Sequence, residues 1–231
     1  MKTAEFSIII PVLDEAATIN EAIRHVTATA GDHAVEVLVV DGDPAGCTVR
    51  TIEGQTVKKL VAEKGRGCQM NRGASRAAGE VLLFLHADTM LPAGAFDCIS
   101  SVLEDDAVVG GAFDLGIDAG GFAYRLIDRV ASLRSRLTRL PYGDQALFIR
   151  RPYFIRLGGF TNIPIMEDVD LMQRIKREKG KIHIIRKRVS TSPRRWEKEG
   201  IVRGTLRNWF LITLYLFGMK PEKLTRYYHV L

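Results

Sequence analysis

An imidazole and a carboxylate directly follow an apolar run in the segment LLFLHADT, residues 82–89. The run indicates a buried strand, and His86 and Asp88 stand where that strand should end. Carboxylate oxygens suit Mg²⁺ or Mn²⁺, and a nearby imidazole shifts the preference toward Mn²⁺. Each residue alone also has a structural explanation, Asp88 as a turn residue and His86 as a half-buried histidine. The pair becomes a candidate metal site if other acids lie near it.

Acids follow two other apolar runs as well. The segment PVLDE ends in Asp14 and Glu15, and VVDGD places Asp41 after a second run. Ligands of open parallel sheets bind beyond the carboxyl ends of the strands, so these acids and Asp88 should gather along one rim. Clustered carboxylates repel each other unless positive charge or hydrogen-bond donors lie among them. The rim is therefore predicted to bind a divalent cation, or the hydroxyl and amide groups of a sugar and a base.

The elements that position these acids alternate between strand and helix. A helical pattern covers residues 18–29, and short apolar runs predict strands at 6–12, 36–40, 57–62 and 81–85. Such alternation predicts an α/β fold with a mostly parallel sheet and helices on both faces.

A glycine-rich segment, KGRGCQMNRGA, follows the third predicted strand at residues 64–74. Its backbone amides could face an anion at the start of a helix, which should end near residue 78. The segment matches neither the Walker pattern nor the dinucleotide-binding pattern, so alone it is a weak signal.

A second group of acids lies in MEDVDL, residues 166–171, at the predicted start of another helix. Negative charge is favourable at a helix N-terminus, which explains one or two of these acids. A carboxylate there could also act as a general base, given a substrate within hydrogen-bond reach. Upstream, YGDQ at residues 142–145 has the composition of a turn before the apolar run ALFIRR.

Composition places the chain among globular proteins of a reducing compartment. It has 231 residues, of which 46% are hydrophobic and 26% charged, enough for one large α/β domain. The three cysteines show no paired spacing, which argues against a disulfide framework. The N-terminal apolar run is too short for a signal peptide, and the run at 209–219 is too short to cross a bilayer. We expect a cytoplasmic protein.

Charge is divided unevenly along the chain. Residues 1–170 carry a net charge of −6 and residues 171–231 one of +12, within a total of +6. The basic part would attract phosphates, anionic lipid or nucleic acid, although no compact nucleic-acid recognition motif is visible. Within it, Arg194 and Arg195 could clamp a diphosphate and Trp196 could stack on a sugar or base. A basic surface loop is the structural alternative.

Six segments in order resemble the motifs of the family 2 glycosyltransferases: SIIIPVLDEAATI, VVDGD, LLFLHADT, YGDQALFIRR, LGGF and MEDVDLMQRI. The resemblance extends from Ser7 to about Trp196. Within the family, the chain looks most like the small bacterial subgroup marked by HAD-T and GDQA, the radical-SAM/selenodomain-associated transferases. The resemblance implies the GT-A fold. It also implies sugar transfer from a nucleotide-diphosphate donor to a hydroxyl acceptor, assisted by Mn²⁺ or Mg²⁺, with inversion at the anomeric carbon.

On the donor side, the resemblance implies contacts from Pro11, Asp14, Glu15, Asp41, Lys64, Arg66, Gln69, Arg194 and Arg195. The family's D-x-D metal motif stands here as His86-Ala87-Asp88, with one acid replaced. Asp88 is then the metal ligand, and His86 is a second ligand, a neighbour of the ligand or a phosphate contact. The lower negative charge predicts that metal binds weakly until the donor arrives. The resemblance favours a UDP-sugar and leaves guanine and thymine nucleotides open.

On the acceptor side, the resemblance implies that Asp168 is the general base and that Glu167 positions or polarises it. It implies that the sugar and acceptor are contacted by Asp144, Gln145, Gly159 and Trp196. We expect a GT-A domain at residues 1–200 and a helical appendage at 201–231.

The appendage mixes basic and aromatic residues between positions 201 and 217. It could rest on the inner face of a membrane, near a lipid-linked acceptor, or it could pack within the protein or form a dimer interface. Two other functions stay open from the sequence, a metal-dependent nucleotidyltransferase and a non-catalytic protein that binds nucleotide sugars. Nucleic acid is not expected as a partner.

Overall fold

A seven-stranded sheet lies at the centre of the molecule. The computed structural model describes residues 4–54 and 56–230, without the side chains of residues 195, 202 and 228–230. The strands of the central sheet are β1 Phe6–Val12, β2 Val35–Asp41, β3 Val57–Val61, β4 Val81–Phe84, β6 Val108–Asp114, β7 Leu147–Arg150 and β8 Lys181–Arg188. Their spatial order is β3-β2-β1-β4-β7-β6-β8. Of these seven, β7 runs antiparallel to both of its neighbours, and the other pairs are parallel.

The central strands are apolar along their length because both faces of the sheet are covered. Residues 8–10 of β1 and 38–40 of β2 are fully buried, as expected for parallel strands between two layers of helices. One face contributes to a core cluster around Phe96 and Phe113, and the other to a cluster around Phe84 and Phe154. The predicted α/β class, the mostly parallel sheet and the helices on both faces are confirmed.

Helices connect the strands and extend to the end of the chain. α1 shows why its segment is helical: Ile19, Ala22 and Val26 recur at helical spacing and are all buried. The helices are α1 Ile19–Thr29, α2 Cys47–Arg50, α3 Arg66–Ala74, α4 Ala95–Leu103, α5 Phe122–Thr138, α6 Arg151–Arg156, α7 Glu167–Arg177, α8 Arg194–Glu199, α9 Ile201–Leu216 and α10 Pro221–Val230. A 3₁₀ turn spans Gly143–Gln145.

The glycine-rich segment differs from its prediction. The sequence pattern indicated a loop before a helix that ends near residue 78, whereas the segment itself forms α3. Two of its glycines allow close packing, Gly67 against the backbone of Thr161 and Gly73 against the sheet. A Cβ on Gly73 would lie 2.5 Å from Cγ2 of Ile9, so a side chain there would push the helix away from β1.

The C-terminal part of the chain is tied to the rest at several points. A two-stranded antiparallel ribbon joins β5 Thr89–Met90 to β9 Ser190–Thr191. At the other end of α9, the Tyr215 hydroxyl donates to Asp170 of α7 at 3.3 Å. The proposed boundary at residue 200 stays a prediction. None of the helices in residues 4–54 and 56–230 combines the length and apolar character needed to cross a membrane.

Close packing between β6 and β8 leads to a stability prediction. A Cβ on Gly111 would overlap the carbonyl oxygen of His183 and would lie 2.6 Å from the ring of Phe148. We expect Gly111→Ala to lower the free energy of unfolding by about 1–3 kcal/mol, because the backbones must separate. Gly120→Ala is the matched control, since that site has open space around it. Urea unfolding compares the two variants, and equal midpoints would contradict the prediction.

Candidate active site

The carboxyl ends of β2, β1 and β4 meet at one edge of the sheet. Asp41 pairs with Val12 in the β1–β2 register, and the Leu85 amide donates to the carbonyl of Ile9. The acids that follow these strands therefore share the predicted rim. At the rim, burial raises the pKa of Asp88, the nearby charge of Glu15 adds to the rise, and the charge of Arg194 opposes it.

Asp41 and Gln69, two residues predicted to contact the nucleotide-sugar donor, hydrogen-bond to backbone groups at the rim. Asp41 is fully buried, and its carboxylate accepts backbone N–H groups of residues 43, 48 and 49, at the start of α2. The amide of Gln69 donates to the carbonyls of Val12 and Val40, both at 2.8 Å. These bonds occupy both side chains in the structure. Direct contact of either side chain with the nucleotide-sugar donor stays a prediction, and this geometry does not favour it.

The other predicted donor residues surround this rim. Pro11 lies partly buried near the end of β1, and Asp14 adopts a left-handed φ of 58° in the turn after it. Nη2 of Arg194 lies 3.6 Å from the Glu15 carboxylate, which brings the start of α8 to the end of β1. Lys64 is exposed before α3. The side chain of Arg195 lies outside the described residues.

A cavity of about 160 Å³ opens beside the rim. It brings together residues that were predicted from the sequence to bind a metal, bind the nucleotide-sugar donor, act as general base and contact the sugar. Its walls include Arg66, His86, Asp88, Asp144, Asp168 and Trp196. The predicted metal pair, which follows β4, and the predicted base, at the start of α7, therefore face one space.

Asp168 is held at the start of α7 by two backbone amides. Its Oδ2 accepts the N–H of Gly143 at 2.7 Å, and its Oδ1 accepts that of Val169 at 2.8 Å. A Cβ on Gly143 would lie 3.1 Å from Nε2 of His86 and 3.4 Å from Oδ2 of Asp168. The absence of a side chain at position 143 thus lets the imidazole and the carboxylate approach the same point.

Glu167 lies behind Asp168 and is almost fully buried. Its Oε1 is 2.7 Å from Nε of Arg66, and its Oε2 is buried without a hydrogen-bond partner among the described residues. Burial raises the pKa of Glu167, the charge of Arg66 opposes the rise, and the charge of Asp168 adds to it. Glu167 does not line the cavity, and its ion pair is with Arg66. Its predicted role, to position or polarise Asp168, stays a prediction.

Gln145 and Gly159 do not line the cavity, and their contacts are with other parts of the protein. The Gln145 amide donates to the carbonyl of Phe113 and accepts from the hydroxyl of Ser135, at 2.8 and 2.7 Å. Gly159, at a left-handed φ of 70°, leaves room for Asn71, whose side chain binds the backbone of residue 160. The predicted sugar contacts of Gln145 and Gly159 remain predictions without support from this geometry.

Arg134 of α5 is a site residue that the sequence did not single out. Its guanidinium carbon lies 3.2 Å from the centroid of the Tyr142 ring. Burial lowers the pKa of Arg134 to about 10, and the charges of Asp144 and Asp168 oppose that fall. Arg134 thus places a cation beside the two acids. Its position could not be read from the sequence, because α5 contains several arginines at helical spacing.

The described residues fit a metal site whose ligands come partly from the protein and partly from the substrate. They do not form a site in which the protein supplies every ligand. Within residues 4–54 and 56–230, no three His, Cys, Asp or Glu side chains converge to hold a metal ion. Asp88 and His86 nevertheless face the cavity. Mg²⁺ is commonly bound by one or two carboxylates together with phosphate oxygens of the substrate. Asp88 and His86 could hold a metal ion whose other ligands come from a diphosphate.

The raised pKa of Glu167 leads to a prediction about stability. Such a carboxyl contributes stability that is fully present at low pH and is lost as pH rises from its ordinary value, 4.5, through its folded-state pKa. Glu167→Gln imitates the protonated form. We therefore expect the variant to melt above the wild type at pH 7, with the difference shrinking toward pH 4.

Thermal unfolding at a series of pH values measures this difference, with exposed Glu63→Gln as the control. A Glu167→Gln variant that melts below the wild type at neutral pH would show that the ion pair with Arg66 outweighs the cost of burying the charge.

Comparisons with known proteins identify the fold and the family of this chain. The model of the glycosyl transferase family 2 matches residues 7–163. A search of curated proteins finds no match. TarS 1–349 of S. aureus superposes with a TM-score of 0.62 and 16% identity, over 82% of this chain and 61% of that one.

A second similar structure is the mannosyltransferase PcManGT of Pyrobaculum calidifontis, in complex with GDP-Man and Mn²⁺. It superposes with a TM-score of 0.63 and 17% identity, over 96% of this chain and 67% of that one. The chain thus spans about three fifths of the TarS fragment and two thirds of the mannosyltransferase. At these identities the structures show the shared GT-A fold, and the match to residues 7–163 shows that this chain belongs to glycosyl transferase family 2.

Proposed function

We propose that this protein transfers a sugar from a nucleotide-diphosphate donor to an acceptor hydroxyl, with metal assistance and inversion. The observation that carries the proposal is the convergence of Asp88, His86 and Asp168 on one cavity at the carboxyl edge of the sheet. The cavity lies in a chain of glycosyl transferase family 2, which supports sugar transfer as the reaction class.

The rim formed by β1, β2 and β4 is the proposed donor side. Asp88 and His86 would hold a divalent metal ion, Mn²⁺ or Mg²⁺, which when bound offsets the charge of the diphosphate leaving group. Arg194, beside Glu15, would contact the phosphates. The mannosyltransferase complex with GDP-Man and Mn²⁺ supports a nucleotide sugar and a metal as the ligand pair. A UDP-sugar is our proposed donor, and GDP-sugars are the alternative that this complex raises.

Asp168 is the proposed general base. The amide of Gly143 fixes its Oδ2, so that the carboxylate keeps one orientation toward the cavity. The acceptor hydroxyl would give its proton to Asp168 while its oxygen bonds to the anomeric carbon. The bond from that carbon to the diphosphate breaks on the opposite face, and the anomeric configuration inverts. Glu167 and Arg66 would hold α7 in the position that this step requires.

The proposed sugar contacts are the side chains that line the cavity between rim and base. Asp144 would accept hydrogen bonds from sugar hydroxyls, and Trp196 offers an aromatic face. For the acceptor we propose a hydroxyl compound, with a lipid-linked one favoured by exposed apolar side chains of α9. A cytoplasmic location with peripheral contact at the inner face of the membrane accompanies that choice.

Donor binding is the first test of this function. We expect calorimetric titration with UDP, GDP and dTDP to show one preferred nucleotide, bound at least about tenfold more weakly with EDTA than with Mn²⁺. Asp88→Asn should remove the metal-dependent part of the nucleotide affinity, because it replaces a charged metal ligand with a neutral one. Asp32→Asn, exposed in the turn after α1, is the matched control. Folded protein that binds none of the three nucleotides would contradict the proposal.

A second test separates catalysis from binding. Asp168→Asn keeps the shape of the side chain and should leave nucleotide affinity within about twofold of the wild type, while turnover falls about 10²–10⁴-fold. Turnover is measured as nucleotide-diphosphate release from the preferred donor in the presence of a lipid extract. The exposed Asp118→Asn serves as control. Unchanged turnover in Asp168→Asn would reject Asp168 as the base.

A further inference from the structure

Helix α5 exposes a row of large apolar side chains. Phe122, Leu126, Leu133 and Leu137 are 74%, 50%, 54% and 76% exposed. Their spacing of four, seven and four residues places them on one face of the helix. Leaving four such side chains in water is costly, since burying one fully is worth about 1.5–3 kcal/mol. The row marks a contact surface rather than scattered exposure.

Helix α9 carries a second exposed apolar set. Leu206, Trp209, Phe210 and Leu216 are each about half exposed, and Phe217 directly after the helix is exposed almost completely. Tryptophan has an apolar body and a polar edge, and it is enriched where lipid chains meet water.

The exposed charges on these two helices are positive. Arg125 and Arg129 of α5 and Arg203 of α9 are exposed. The sequence of α9 contains no acid, and the one acid of α5 is Asp128. Asp128 is buried, and it accepts the backbone N–H of Ile117 at 3.0 Å. The exposed faces of both helices are therefore apolar and positive, which complements a surface of acyl chains and anionic head groups.

A cavity of about 370 Å³ lies between α5 and α9. Ile127, Val130 and Ala131 form one wall, and Trp209 and Ile212 form the other. Because Trp209 is half exposed, the cavity reaches the surface beside the apolar faces described above.

The inner end of this cavity meets the candidate active site. Tyr142, Asp144 and Trp196 line both this cavity and the one that contains Asp168. The two cavities thus adjoin, and together they extend from the exposed faces of α5 and α9 to the acids of the site. The lining between the two helices is mostly apolar and suits a hydrocarbon chain, whereas the inner end, with Arg134, Asp144 and Asn208, is polar and suits a hydroxyl group.

We propose that α5 and α9 together dock on an anionic lipid bilayer, and that the cavity between them admits the apolar chain of a lipid acceptor. The proposal rests on the sugar-transfer function above and names its acceptor class. The bilayer is the occupant because positive charge surrounds the apolar side chains and because the two adjoining cavities lead from this surface to the base. The acceptor hydroxyl then reaches Asp168 while its chain stays between the two helices.

The docking part is tested with the full chain and lipid vesicles. Sedimentation compares vesicles of phosphatidylcholine alone with vesicles that also contain phosphatidylglycerol. We expect binding to the anionic vesicles that weakens as salt rises. The combined variant Leu126→Ser, Leu133→Ser and Leu206→Ser should bind at least about tenfold more weakly. Ile155→Ser is the matched control, since Ile155 is 59% exposed on α6, which packs on the other face of the sheet.

Three results would overturn docking. One is the absence of binding to anionic vesicles, and another is an equal loss in the Ile155→Ser control. The third is concentration-dependent dimerisation that the triple variant abolishes, because the occupant of the surface would then be a second copy of the chain.

The acceptor part is tested with a phospholipid that carries a photoreactive group on its acyl chain. After irradiation of bound vesicles, we expect crosslinks in the cavity-lining residues of α5 and α9. Ala131→Phe narrows the cavity and should reduce these crosslinks several-fold while vesicle binding is retained. Crosslinks confined to the outer faces of the helices, or unchanged by Ala131→Phe, would overturn the acceptor assignment.

Nucleotide titration distinguishes this proposal from the function on which it rests. Intact metal-dependent nucleotide binding with no vesicle binding would reject docking and leave sugar transfer standing. Vesicle binding without nucleotide binding would reject the sugar-transfer function and leave the membrane surface standing.

Discussion

Repulsion among carboxylates is the constraint on which this site depends. Five acids from four parts of the chain lie at or near one small cavity, and their charges must be balanced for the protein to fold. The balance comes from three arginines, each on a different helix. Arg66 of α3 pairs with Glu167, Arg194 of α8 lies beside Glu15, and Arg134 of α5 acts on Asp144 and Asp168. Asp88 interacts with the charges of Glu15 and Arg194.

This arrangement explains why elements outside β1, β2 and β4 belong to the candidate site. Glu167 is buried, so removal of Arg66 would leave a costly unpaired charge, and this couples α3 to the acids. Arg134 of α5 and Arg194 of α8 act on the acids through their nearby charges. The same helices shape the space between them. The cavity near Asp168 adjoins the mostly apolar cavity between α5 and α9, because both are lined by the segment around Tyr142 and by Trp196.

Much of the fold could be predicted from the sequence because parallel strands buried on both faces leave a strong pattern. The four predicted strands match β1, β2, β3 and β4 closely, and the rim of acids follows from their shared direction. The order of β7, β6 and β8 could not be predicted, since apolar runs do not encode which neighbour a strand takes. The role of Gly73 in α3 could not be predicted either, because its close approach to β1 exists only in the folded protein.

The candidate site was predictable in part for similar reasons. Acids at strand ends and at the start of α7 are visible as local patterns, whereas Arg134 acquires its role through long-range packing. Gln69 and Gln145 show another limit of sequence patterns, because a polar residue near a motif can hydrogen-bond to backbone groups, and the sequence does not distinguish this from contact with a ligand.

The pairing of β5 with β9 has a consequence for how the protein acquires its site. Thr89 pairs with Thr191 across 102 positions of the chain, next to Asp88, and the amide of Ser192 donates to the carbonyl of Asp88. Contacts of such sequence separation form late, since a long loop must close first. During synthesis the strands β1 to β4 can associate well before residue 191 leaves the ribosome. The nascent chain therefore has the rim of β1, β2 and β4 before it has the complete candidate site, which depends on the last quarter of the chain.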